Sequence, residues 1–294
     1  MGVQASMWTE FCWKPEDVTY QVFPRLAALA ETAWSPKGEK DWNRFQKALD
    51  NYLAHLDMKG IVYAKSMYNV QHKSTPKDGS VNITLTCDRT DVEIRYTTDD
   101  SEPNVKSKLY SDTLNINKSL TIKCASFKNG EKMGKTLVLP VSFNKATGKK
   151  ILGAKSDNYM LVNGVRGSKR QSDFEWCAWE PEKVNSFTVD LNETEKLSKV
   201  TLGVITNYGM AVHKPKSISI EVSDNNKNFR QCCKREFTTD KIFVEDNIVE
   251  DIEFAVEENA RFVKVTIEGP GACPDNHLRP GQVSRYYFDE IIIE

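Results

Sequence analysis

A surplus of positive charge is what this chain most plainly lacks: 40 Lys and Arg residues stand against 41 Asp and Glu, for a net charge of -1. A surface that tracks phosphates needs a clustered basic excess, so nucleic acid is excluded as a principal partner. Long hydrophobic runs are missing too. No apolar stretch approaches the roughly 18 residues of a membrane span, and the opening residues Met1-Gly2-Val3-Gln4 have neither the cationic nor the apolar segment of an export signal. Glycine and proline are scarce, at 15 and 11 of 294 residues, far below the roughly 25–30% of low-complexity chains, so the chain is expected to fold. The seven cysteines form no Cys-x-x-Cys and the four histidines no His-Glu-x-x-His, which leaves a zinc site unsupported and no cofactor expected from spacing. Cys87 and Cys124 fall on apparent inward faces of strands, where an oxidising compartment could pair them.

At roughly 150 residues per domain, the length predicts about two domains with room for a third small module. Val18, Val22, Leu26, Leu29, Ala30, Ala33 and Trp34 recur at three- and four-residue steps, the stripe of a helix that Pro36 and Gly38 stop. A second helix carries Trp42, Phe45, Leu49, Tyr52, Leu53 and Leu56 and ends at Gly60. Two apolar stripes and a single short strand ahead of them cannot cover one another, so this region reads as the edge of a larger body, or as a dimer contact. Residues 64–76 are polar and read as a structureless linker. From Val81 the period becomes two, in Val81, Ile83, Leu85, Cys87, then Val92, Ile94, Tyr96, then Leu120, Ile122, Cys124, which predicts a small β-sandwich. A second linker, 144–150, precedes short strands at 186–191, 199–205, 216–223, 261–268 and 286–293, the largest module and all β.

Ala5-Ser6-Met7-Trp8-Thr9-Glu10 carries the most chemistry. On a strand, residues two apart share a face, so Trp8 and Glu10 would offer an indole platform and a carboxylate to one space. That pair suits a sugar, whose C–H groups pack on an aromatic ring and whose hydroxyls donate to a carboxylate. The ordinary reading of either residue alone is a core indole and a solvated strand end. The surroundings alter that balance. Val3-Gln4-Ala5 with Trp8-Thr9-Glu10, then Phe23-Pro24-Arg25-Leu26 through Ala28-Leu29-Ala30-Glu31 to Ala33-Trp34-Ser35-Pro36, then Trp42, Phe45 and Gly60 to Tyr63 closely resemble the end of the catalytic barrel of glycoside hydrolase family 20, the β-N-acetylhexosaminidases. The resemblance implies that these residues are the eighth barrel strand and its closing helices, with Trp8 lining the pocket for a terminal N-acetylhexosamine and Glu10 binding its outer hydroxyls. It also implies catalysis by an Asp-Glu pair preceded by a His-x-Gly-Gly-type strand end. No such segment occurs. Glu16-Asp17, Asp99-Asp100, Glu245-Asp246, Glu250-Asp251 and Asp289-Glu290 all lack the preceding His and Gly residues, so the chain has no expected catalytic residue and is expected to be inactive alone.

Ile94-Arg95-Tyr96-Thr97-Thr98-Asp99-Asp100-Ser101-Glu102-Pro103, followed by Leu109-Tyr110, is similar to the fibronectin-like C-terminal domain of chitobiases and hexosaminidases, a spacer. Leu161-x-Asn163-Gly164-x-Arg166-Gly167, Trp176, Val189-Asp190-Leu191, Pro215, Ile220-x-Val222-Ser223 with Phe229, and Phe288-Asp289-Glu290-Ile291 resemble a discoidin domain of the coagulation factor 5/8 type C. Such domains often bind galactosyl or hexosaminyl groups through loop aromatics, His and Arg, here Trp179, Tyr208, His213, His277, Arg279, Arg285 and Tyr286. Each of these singly reads as a solvated loop residue, and clustering is what would mark a site. Many relatives hold calcium with an acid at the position of Asn163 and with the glutamate of the terminal motif, Glu290; the neutral Asn163 leaves such a site one charge short.

The resemblances together imply a multidomain chain. The truncated, mainly helical end of a (β/α)8 barrel fills 1–63, a linker 64–76, a fibronectin-like β-sandwich 77–147, and a discoidin-type β-sandwich, or jelly roll, 148–294. They imply the C-terminal region of an exo-β-N-acetylhexosaminidase that removes terminal non-reducing N-acetylhexosamine from glycans, with glycans ending in N-acetylhexosamine or galactose as binding partners, in a periplasmic or extracellular setting. The alternative is a non-catalytic carbohydrate-binding or adhesion protein.

Overall fold

The computed structural model describes residues 2–153, 158–181, 183–238 and 246–294, and divides into two compact units. The first gathers Met1–Gln71, Leu85–Tyr110 and Lys123–Leu137; the second gathers His72–Thr84, Ser111–Ile122 and Val138–Glu294. Strand dominates, and among the described residues α-helix is confined to the first unit, in α1 (Pro15–Val22), α2 (Arg25–Trp34) and α3 (Trp42–Met58). Pro15 opens α1 at a position with no amide to lose, while the Asp17 carboxylate accepts from the Trp13 and Lys14 amides at 2.9 Å each. Asp41 caps α3 by accepting from the Arg44 amide. Gly60, at φ 65°, turns the chain out of α3. The α3 stripe buries Leu49, Leu53 and Leu56 against Tyr63, whereas α1 and α2 have no fully buried residue. Leu26 and Trp34 of α2 remain exposed.

The strand expected near residues 3–10 does not form. Residues 2–9 are irregular and exposed, because a strand is stable only in a ladder and no neighbouring strand pairs with this segment.

Strands β1 (Val70–Lys77), β2 (Ser80–Cys87), β3 (Glu93–Thr97), β4 (Lys108–Leu109), β5 (Leu114–Ile116), β6 (Leu120–Lys128), β7 (Glu131–Lys132) and β8 (Leu137–Val141) follow. They include a sheet ordered β1-β2-β5 and the path β4-β3-β6-β7. Residues 64–76, expected to be structureless, instead hold a 3-10 turn at Ser66–Tyr68 and most of β1. Their polar composition hid a hairpin whose turn, Asp78-Gly79, has both residues at positive φ, the geometry that matches strand twist. Asn129-Gly130 closes β6 onto β7 in the same way. In the first unit, Arg89 ties α3 to this region. It is 2% exposed, donates to Asp50 at 2.7 Å and to both oxygens of Asp91, and has Lys128 bridging the same two carboxylates. Cys87 and Cys124 are both free thiols, and the Cys87 Sγ donates to the Met67 carbonyl.

The largest body is built from β9 (Lys150–Leu152), β10 (Cys177–Ala178), β11 (Val184–Thr206), β12 (Ser217–Ser223), β13 (Arg230–Glu236), β14 (Ile248–Glu268) and β15 (Tyr287–Ile293). Their order is β10-β15-β11-β14-β12-β13, with β9 also on β11. Register shifts between Asp190 and Glu195, with Asn192 at φ 75°, bend the long β11. Its first part pairs with β9 and its second part with β15, so one strand serves both faces of a sandwich. Phe187, Val189, Leu202, Ile218, Ile220, Val265, Phe288 and Ile291 fill the core between them. The strands expected at 186–191 and 199–205 are one continuous strand, β11, and those expected at 216–223, 261–268 and 286–293 fall in β12, β14 and β15; β9, β10, β13 and the first half of β14 are additional. The expected linker 144–150 is locked in place as well. Asn144 Oδ1 accepts from the Ala146 and Ile293 amides, the Gly148 amide donates to the Val162 carbonyl, and Ala146 and Thr147 are buried.

Candidate functional site

Three loops of the second unit are stitched together by hydrogen bonds. The 3-10 turn Tyr208–Met210 is capped by Asn207, whose Oδ1 accepts from the Met210 amide. Asn207 Nδ2 donates to Asn247 Oδ1, and Asn247 Nδ2 donates in turn to the Lys169 carbonyl. The segment 271–285 joins through His277 Nε2, 2.6 Å from the Tyr208 carbonyl, and through a bridge from Arg285 to Val212.

Tyr208, His213 and His277 therefore meet, as clustering of the loop residues would require. Tyr208 stacks on His213 with centroids 5.3 Å apart, and His213 meets His277 edge-on at 5.2 Å. All three are buried, however, so they form a small core under the loops and present no ring to solvent. Burial and the neighbouring His277 lower the His213 pKa. Arg279 and Arg285 are exposed, and Arg279 Nη2 lies 3.3 Å from Met210 Sδ.

Trp179 and Tyr286 lie elsewhere. Trp179 stacks on Phe187 at 5.5 Å and meets Phe288 edge-on, so this half-buried ring packs against the sandwich core. Tyr286 accepts from Asn185 Nδ2 at 2.7 Å, and burial pushes its hydroxyl pKa up. The ring that sequence reasoning missed is Phe174, 83% exposed, the one exposed aromatic among the described residues of 148–294. An apolar residue standing alone after Arg170-Gln171-Ser172-Asp173 was the available signal.

Trp8 and Glu10 sit on irregular backbone, and Trp8 is 76% exposed. The shared strand face expected of them is not formed. The adjacent acids have structural partners: Asp17 caps α1, Asp100 pairs with Lys123, Asp251 pairs with Arg166, and Glu245 lies outside the described residues.

Asp289 and Glu290 are both buried. Asp289 accepts from Arg166 Nε at 2.8 Å and from the Gly167 amide. Glu290 Oε1 accepts from the Gly164 amide at 3.1 Å, while its buried Oε2 has no partner. Burial, with Asp289 and Glu175 nearby, raises the Glu290 pKa well above the usual carboxylate value. Calcium would need six to eight oxygens around such a carboxylate. Asn163 Oδ1 is committed to the Val165 amide at 2.9 Å, which fixes the side-chain orientation, and Nδ2 then donates to Glu175 Oε2 at 2.6 Å. Glu175 Oε1 faces His72 Nε2 at 3.1 Å. Asn163 thus presents hydrogens where a cation needs lone pairs, and these residues do not fit calcium.

The fold and these sites define a modular β-sandwich protein with a loop-bearing discoidin-type body. Three family models match the chain in order: the catalytic domain of glycosyl hydrolase family 20 over residues 1–37, Fn3 associated over 83–140, and the F5/8 type C domain over 152–277. The resemblance read from the motifs is the one these matches report. The chain is 32% identical over 141 residues to a beta-hexosaminidase of Porphyromonas gingivalis, covering 45% of this chain and 17% of the relative. It is 35% identical over 61 residues to a beta-N-acetylhexosaminidase of Cellulomonas fimi, covering 21% and 12%. The chain thus spans less than a fifth of these relatives. Among solved structures, chitosan-binding module 1 of a Paenibacillus chitosanase/glucanase aligns at 18% identity and TM-score 0.34, over 52% of this chain and 98% of that one. The C-terminal domain of a Bacteroides fragilis chitobiase aligns at 18% and 0.25, over 38% and 63%.

Proposed function

We propose that this chain is the C-terminal region of an exo-acting β-N-acetylhexosaminidase that removes terminal non-reducing N-acetylhexosamine from glycans. It comprises a barrel end over 1–63, a connecting segment 64–76, a fibronectin-like spacer 77–147 and a discoidin-type module 148–294. The observation that carries the reading is the order of the three family matches, together with the hexosaminidase relatives. In the assembled barrel, strand pairing of residues 3–10 would bring Trp8 and Glu10 onto one face against the sugar, with the acid pair supplied by preceding strands. Trp8 and Glu10 hold sugar, but neither protonates the glycosidic oxygen in this chain. The purified chain therefore shows no turnover of a chromogenic N-acetylglucosaminide. Turnover in the ordinary enzyme range of about 1–1000 per second that is lost on Glu10→Ala would refute this assignment of the chemistry.

The discoidin loops serve as a weak glycan site. Arg279 and Arg285 supply donors from the 271–285 segment, which His277 holds to the Tyr208 carbonyl, and the exposed Phe174 ring supplies the aromatic platform. A small solvated site of this kind gives affinity of roughly millimolar order, about -4 kcal/mol. Titration with galactose, N-acetylgalactosamine and N-acetylglucosamine, followed by amide shifts, tests it; no movement of those loop signals at tens of millimolar would defeat it. A second reading, a non-catalytic carbohydrate-binding or adhesion protein, draws on the exposed rings of Trp8, Phe11 and Trp13.

A further inference from the structure

His213, Cys273 and His277 each offer one ligand atom, and these atoms all lie within 4.8 Å of one another. All three side chains are at least nine-tenths buried. Their surroundings already have the form of a ligand shell. Ser284 Oγ lies 3.0 Å from His213 Nδ1 and 3.5 Å from Cys273 Sγ. That contact orients the His213 ring and leaves Nε2, which is buried and without a hydrogen-bond partner. An unsatisfied ring nitrogen of this kind is costly unless something binds it. For His277, the Tyr208 carbonyl at 2.6 Å can only accept, so Nε2 carries the hydrogen and Nδ1 carries the lone pair. A ligating histidine whose other nitrogen donates to a backbone carbonyl is the common supporting arrangement at metal sites. The Nδ1 lone pair now accepts from the Arg279 amide at 2.9 Å, a bond that an incoming ion would replace.

We propose that His213, Cys273 and His277 form a site for a divalent metal ion of borderline softness, zinc foremost. Two neutral imidazoles and a thiolate match zinc and cobalt(II) and mismatch calcium or magnesium. Binding forms two nitrogen–metal bonds and one sulfur–metal bond and releases the Cys273 proton to solvent. The ion fastens the loop between Cys273 and Gln282, which carries Arg279, to the Tyr208–His213 turn. The site stands independently of the hexosaminidase reading.

The test uses the untagged full chain, stripped with chelator and dialysed. Zinc uptake measured by mass spectrometry is expected at about one equivalent, with the melting temperature of the discoidin transition rising by about 5–10 °C at a hundredfold excess over the dissociation constant. Cobalt(II) should give a thiolate-to-metal charge-transfer band. That band and the uptake should survive a Cys232→Ser/Cys233→Ser double variant and be lost in Cys273→Ser, with affinity falling at least about 100-fold. Should Cys273→Ser fail to fold, the band and melting shift of the unaltered chain decide the matter. Uptake below a tenth of an equivalent at micromolar zinc, no charge-transfer band, or binding that persists unchanged in folded Cys273→Ser would each overturn the proposal and leave the cluster as hydrogen-bonded core.

Discussion

Replacing Glu290 with glutamine isolates the effect of burying a carboxylate with one oxygen unsatisfied. Glutamine keeps the size and the acceptor toward the Gly164 amide, and removes the charge that burial, Asp289 and Glu175 oppose. Because the folded-state pKa lies well above the ordinary glutamate value of 4.5, the folded protein binds this proton more tightly than the unfolded chain does. The group's contribution is therefore fully present below the unfolded pKa and is lost as pH rises through the folded pKa, at about 1.4 kcal/mol per pH unit in between. Glutamine has no such loss. The stability difference, variant minus wild type, is expected to grow by that slope above about pH 4.5 and to level off at the folded pKa. At pH 7 it can reach no more than about 3.4 kcal/mol, less about 1–3 kcal/mol for the newly buried amide donor. Urea unfolding of both proteins across this range, followed by the fluorescence of Trp176 and Trp179, measures it. Millimolar calcium should leave both curves unmoved, since Asn163 is turned the wrong way for a cation. A pH-independent difference, or calcium stabilising wild type and not the variant, would refute the reasoning.

Arg89→Met should destabilise the first unit by about 3–5 kcal/mol, because Asp50 and Asp91 would keep only Lys128 as a counter-ion; a loss below about 1 kcal/mol by calorimetry would count against that network. Trp179→Ala should cost about 3–5 kcal/mol, whereas Phe174→Ala should change stability by less than about 0.5 kcal/mol and abolish sugar-induced amide shifts; the reverse pattern would exchange their roles. The helical region should be the least protected part of the chain or self-associate, since Leu26, Trp34 and Trp42 are exposed. Hydrogen exchange over residues 18–56 as slow as that of 261–268, in a strictly monomeric sample, would contradict this.

What the sequence displayed was whatever a local period can encode. Ile218, Ile220 and Val222 alternate with polar neighbours, and so do Val263, Val265 and Ile267, so β12 and the later part of β14 were legible from the period-two alternation of residue type. β13 was not, because Arg230–Glu236 has no fully buried residue and so carries no one-sided pattern. β1 escaped for a related reason, its polar residues being made a strand by the Asp78-Gly79 turn. The strand expected near residues 3–10 failed in the opposite sense: alternation specifies a face, but only a neighbouring strand supplies the ladder. At the site, aromatic and histidine residues in a poorly alternating stretch announced a loop cluster, and Tyr208, His213 and His277 do converge. Their burial was invisible, because a histidine that faces solvent and one that faces a carbonyl beneath a loop have the same local sequence. The Cys273 and His277 spacing resembles no zinc motif, since the third member, His213, reaches the pair only through the bridge between Val212 and Arg285. Chemistry assembled by such a long-range pairing leaves no spacing to read, and so the absence of a ligand motif excludes only sites built from one continuous segment.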